Sequence, residues 1–185
     1  MKKSVIISGF IMLPIFFLIL GSCGTKVDKS EQLAKIDSLK MIIDQMELKL
    51  DEINMDEVNK KFLEYQLNMK EIVAHIEKEM DTVSGKYLMA YTKVKGPIKS
   101  FIKYHPSLKK DISKARKQLE DLYHDMENNL VDMKKFEEFV KTESDSIRYM
   151  NNWISEYVVK VKEQLVNFDS VNPKVKEIIK FHKKK

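Results

Sequence analysis

With 33% charged residues and only 5 Gly and 4 Pro in 185, the chain has too few turn-formers for a strand-rich fold and suits long helices. Hydrophobic residues at 43%, regularly spaced, exclude a disordered chain. The net charge of +5 falls to +3 once the first 22 residues, with two bases and no acid, are set aside; so even a balance excludes the dominant basic face of a nucleic-acid binder.

Lys2 and Lys3 precede an apolar run from Val5 to Leu20, the layout of a secretory signal. About 20 apolar residues cross a bilayer, so a retained helix is the alternative. Against it, Pro14 and the Ser8-Gly9 pair interrupt the run, and small residues end it. The run closes on Leu20-Gly21-Ser22-Cys23, which resembles the lipobox of bacterial lipoproteins. The resemblance implies a diacylglycerol on the Cys23 sulfur, cleavage just before Cys23, and a further acyl chain on the new amino group. Residues 1–22 are then a signal peptide and 23–30 a lipidated linker. Two or more acyl chains hold a protein stably at a membrane. Cys23 is the single cysteine, so the mature fold has no disulfide to rely on. Gly24, where retention at the inner membrane is signalled by Asp, implies by the same resemblance an outer-membrane anchor facing the periplasm.

From Glu31 onward Ile36, Leu39, Ile43, Met46, Leu50 and Ile53 recur at alternating three and four spacing, one buried face of an amphipathic helix. Continuing that phase would bury Glu57, Lys60 and Glu64, so a break is expected at "INMDEV". Asn54 is a helix cap, Glu57 completes a capping box, and Ile53 with Val58 forms a hydrophobic staple. The reading is a first helical hairpin over 31–95, its second stripe being Val58, Phe62, Tyr65, Met69, Ile72 and Ile76, then loosely Val83, Tyr87 and Val94. Gly96, Pro97 and Pro106 then predict a connector over 96–106. Beyond Ser107 the positions of Ile112, Leu119, Met126, Met133, Val140, Ile147, Ile154, Val161 and Phe168 recur every seven residues. The neighbouring seam is interrupted by Asn129, Glu143 and Gln164. The unbroken seven-residue phase argues for one very long helix, but Asp132 as cap, with Val131 and Phe136 as staple, favours a turn or sharp bend near Asn129 to Asp132, hence a second hairpin over 107–171. Asn172-Pro173 is read as the cap of a short C-terminal helix, 172–185, ending in a lysine tail. The two breaks suggest a weak internal repeat pairing Ile53-Asn54 with Val131-Asp132. The fold class is all-α: an elongated antiparallel helical bundle of coiled-coil hairpins. Heptad seams of this kind close within one chain or between chains.

Charge is uneven: 13 acids and 8 bases from Asp28 to Met80, 2 and 10 from Asp81 to Leu119, 12 and 6 from Glu120 to Pro173. Acidic arms beside a basic segment attract when folded together, although surface ion pairs contribute little individually.

Catalytic signatures are missing. Glu71 with His75 and Glu120 with His124 are four apart, whereas carboxylate-bridged di-metal bundles use Glu and His three apart. Ordinary surface pairs account for both, so no metal and no cofactor are expected. The sequence carries no Gly-rich phosphate loop and no Gly-x-Ser-x-Gly elbow, and the expectation is a protein that is not an enzyme. Tyr149, Trp153 and Tyr157 recur every four residues; an interface anchor is one reading, the packed face of a long helix the favoured one.

"KIDSLK", "LDEIN", "KQLEDLYHDMENNL" and "NPKVKEII", together with the lipobox, resemble small helical lipoproteins of Bacteroidetes. That resemblance implies compartment and fold and no activity. The expectation is a membrane-anchored adaptor, spacer or structural component of the cell envelope. Its partners are the membrane, through the lipid, and a protein partner or second copy engaged through the heptad seams. The alternative is a periplasmic binding or chaperone-like module holding an apolar ligand or client in a helical groove.

Overall fold

The computed structural model describes residues 29–76 and 80–184; the lipobox and signal-like segment lie outside the described residues. Four helices follow in chain order: α1 Ser30–Asp51, α2 Met55–His75, α3 Thr82–Glu127 and α4 Met133–His182. They make three rods. Helices α1 and α2 lie end to end as one segmented rod, antiparallel to α3, and α4 returns parallel to them. Cross-links fix this order: Lys35 on Glu137 near one end, Lys49 on Asn151 near the middle, and Lys61 on Asp169 and Glu71 on Lys183 toward the other end. At 1.5 Å per residue the 46-residue α3 is about 70 Å long.

The α1 stripe is buried throughout, from Ile36 to Ile53. Of the nine heptad positions shared by α3 and α4, eight are buried; Met133, the first residue of α4, is 38% exposed. The seams therefore close within the chain, each large apolar side chain contributing about 1.5–3 kcal/mol on burial.

The break at Asn54 is present, but it is not a hairpin. Asn54 Oδ1 accepts from the amides of Asp56 (3.0 Å) and Glu57 (3.1 Å), and the staple residues Ile53 and Val58 are both buried. The preceding cap, Glu52, keeps right-handed helical torsions (φ −62°, ψ −20°), so the chain shifts phase and continues. The two halves of the expected 31–95 hairpin do not pack on each other; each packs on α3 and α4. The reversal between α3 and α4 uses a left-handed residue. Asn129 has φ 56°, and Leu130 donates to the Asp125 carbonyl (2.8 Å) while Asn129 donates to that of Met126 (3.4 Å), a Schellman closure. Asp132 then caps α4 by accepting from the Lys135 amide. Both caps of the suspected repeat exist, yet one continues a rod and the other reverses it, so they are not equivalent units.

The 96–106 connector is also corrected. Helix α3 runs unbroken through Gly96, Pro97 and Pro106. An interior proline costs about 3 kcal/mol, but Val94, Ile98, Phe101, Leu108 and Ile112 form one continuous buried face across the segment, and breaking the helix would expose them. Pro173 behaves likewise: α4 continues to His182, and residues 172–185 are no separate helix.

Acidic α1 does meet basic α3. Arg116 bonds Asp44 (2.6 Å) and Glu47 (2.8 Å), which raises the guanidinium pKa further, and Lys109 pairs with Asp51. Lys29 Nζ donates to the Met126 and Glu127 carbonyls, tying the start of α1 to the negative end of the α3 dipole.

Candidate functional surface

The rod is not uniformly sealed. Helix α1 buries six residues, but α2 buries only Val58 and Tyr65, leaving Phe62, Met69 and Ile72 partly covered. Between α2 and α3 this opens a groove of about 500 Å³ floored by Tyr65, Met69, Val73 and Ala74 and edged by Gln66, Lys70 and Lys95. Val73 is 76% exposed, and Leu63 and Leu67 stand open on the outer face of α2. Tyr65, Met69, Val73 and Ala74 line the groove together, not as scattered single residues.

The cations at the groove contrast with those facing α1. Lys95, Lys109 and Arg116 occupy one heptad position of α3, seven residues apart between neighbours save for Ile102. Lys109 and Arg116 meet α1 carboxylates; Lys95 faces Gln66, Met69 and Val73. Among the described residues no carboxylate lies within ion-pair distance of Lys95, of Lys99 one turn on, or of Lys70 across the groove.

Beside the groove a polar network crosses all three rods. Asn68 Nδ2 donates to Tyr91 Oη (3.0 Å) and Asn172 Oδ1 (2.8 Å); Tyr91 Oη donates to Asn172 Oδ1 (3.0 Å). Asn172 Nδ2 donates in turn to Glu64 (2.8 Å), which also holds Lys176. Burial pushes the Tyr91 phenol up to about 12, against the opposing bond from Asn68. Burial also pushes the Glu64 carboxyl upward, but Lys176 and Asn172 outweigh it and hold the group below its ordinary value. The Tyr91 ring is sandwiched by Tyr65 (5.0 Å) and Phe168 (5.8 Å). Asn172, read from sequence as a cap, is 8% exposed inside α4 and joins α4 to Asn68 of α2 and Tyr91 of α3. A buried asparagine on the inner face was the available signal, obscured by the proline after it.

A second network surrounds the aromatic trio. Trp153 stacks on Tyr157 (4.5 Å), and Tyr104 approaches both edge-on. Burial raises the Tyr157 phenol pKa. Tyr149 is 70% exposed and stands apart. Two of the three thus belong to the packed face.

The histidines do not converge. His75 pairs with Glu71 at the α2 end (3.3 Å), and His124 lies beside Asp125 at the opposite end of the rod. His105 packs on Phe101 at the α3 seam, where burial, with Lys109 nearby, lowers its pKa. Among the described residues no three metal-ligating side chains cluster, and no helix is long and apolar enough to cross a membrane. The expected lipidation site Cys23, with Leu20, Gly21 and Ser22, precedes the described residues; Lys29, where description begins, is six positions further on. Comparisons with protein-family models, curated proteins and solved structures found no match, so the functional reading rests on this chain's own residues.

Proposed function

We propose that the protein is a lipid-anchored, non-enzymatic component of a bacterial cell envelope that acts as a spacer and adaptor, held at the outer membrane and facing the periplasm. The observation that carries the reading is the Leu20-Gly21-Ser22-Cys23 motif placed directly after an apolar run and seven positions before the first residue of α1. A rod about 70 Å long gives such an anchor reach. With Lys29 clasped to the end of α3, the α1 end of the rod is the end nearest the lipid, and the α2 end is remote.

The seams expected to take a partner are filled within the chain, so the adaptor face lies elsewhere. The open α2–α3 groove favours, as a second reading, a module that binds an apolar ligand or client. Incorporation of radiolabelled palmitate tests the anchor. Label in the wild type that is lost in Cys23→Ala supports it; an unlabelled wild type refutes it.

A further inference from the structure

We propose that the α2–α3 groove is the docking site for an acidic amphipathic helix of a partner protein. The inference rests on the adaptor reading for its purpose, though its physical basis is independent of the lipid. Among its described residues the groove lacks acids. Along the α1 half of the bundle, each cation at the α1-facing position of α3 meets a carboxylate: Lys109 meets Asp51, and Arg116 meets Asp44 and Glu47. At Lys95 the ladder continues and the acid does not, α2 presenting Gln66, Met69 and Val73 there. Lys70 on the opposite edge and Lys99 one turn along add two exposed cations without a carboxylate among the described residues.

Between these cations lies an apolar floor that the bundle leaves half covered. Met69 and Ile72 are partly buried on the same α2 face as buried Val58 and Tyr65, and Val73 opens outward beside them. A helix laid along the groove would cover this floor with residues spaced i, i+3, i+4 and i+7. Carboxylates flanking that stripe would meet Lys70, Lys95 and Lys99, supplying the acids missing from α2. The local three-rod packing would become four-helix packing.

Charge decides between occupants. A second copy docked by the same face would bring Lys70 and Lys95 against their equivalents, and like charges across an interface are costly. A partner with an acidic rim incurs no such repulsion.

The test uses the full chain in phosphatidylcholine nanodiscs and a fluorescent helical peptide with leucines at that spacing flanked by glutamates. Fluorescence anisotropy should show binding that weakens with salt and falls at least tenfold for Lys70→Glu/Lys95→Glu. The same double variant should bind a peptide whose glutamates are replaced by lysines, a gain that misfolding does not produce. Hydrogen exchange should show protection over residues 66–74 and 88–99. Cys23→Ala should bind the peptide equally, so failed acylation and a failed groove are separately visible. The proposal is overturned if binding is no stronger than to a scrambled peptide, or unchanged by charge reversal. It is equally overturned if protection maps elsewhere, or if phosphatidylglycerol vesicles or self-association protect this face and the peptide does not.

Discussion

Replacing Glu143 by glutamine should stabilise the protein at neutral pH, because this carboxylate occupies an apolar position. Glu143 is 8% exposed in the α4 seam between Val140 and Ile147 and accepts a long bond from Gln118 Nε2 (3.3 Å). Burial raises its pKa, and Lys114 only partly opposes this. A carboxylate has room for about four hydrogen bonds, so one bond of this length leaves desolvation largely uncompensated. Removing the charge while keeping the shape and an acceptor for Gln118 should yield about 1–2 kcal/mol. For a chain of this size that is about 2–8 °C in melting temperature. The sign with pH follows from the raised value. The folded state holds the proton more tightly than the unfolded state, so the charge penalises folding above the raised pKa and ceases to do so below the unfolded value. Thermal unfolding followed by circular dichroism at pH 7.5 and 4.0 should therefore show the gain at the first pH and its disappearance at the second. A destabilised variant at pH 7.5, or an equal gain at both values, would refute the reasoning.

Four further outcomes follow from individual positions. Gly96→Ala should add about 0.5–1 kcal/mol in urea unfolding, since the position is helical and a methyl there meets nothing within 4 Å. Asn172→Ala should cost about 2–3 kcal/mol by stranding the Tyr91 hydroxyl and the Asn68 amide; Tyr91→Phe should cost about 1 kcal/mol in the same assay. Asn129→Ala should lower stability by about 1 kcal/mol, because φ is 56° and a methyl side chain disfavours that region; Asn129→Gly should not.

Much of this architecture was legible in the residues, and each failure has a physical cause. The α1 stripe and the seven-residue ladder marked the core because burial against long neighbours demands that spacing. Asn54 and Asp132 marked helix starts because a cap is a local device. Local signals do not say whether a chain turns around after stopping. That depended on the torsions at Glu52 and Asn129, one right-handed and one left-handed. Pro97, Pro106 and Pro173 misled for the converse reason: each weakens a helix locally, and a continuous buried face outweighed it. The groove was not legible at all. Its apolar members, Met69 and Val73, look in sequence like any helix stripe, and only the third rod decides how far they are covered. Lys95 gained meaning only when Lys109 and Arg116, on the same line, were seen to meet α1 acids.

Only if residues 30–75 form one extended rod does the groove stand far from the start of the bundle. The direct measurement is the spin–spin distance between nitroxides at exposed positions 38 and 74, introduced as Ser38→Cys and Ala74→Cys in a Cys23→Ala background. An end-to-end rod predicts a distance of ~50 Å from 1.5 Å per residue. A hairpin at Asn54 would bring the labels within ~20 Å, given helix separations of about 8–10 Å, and would contradict it.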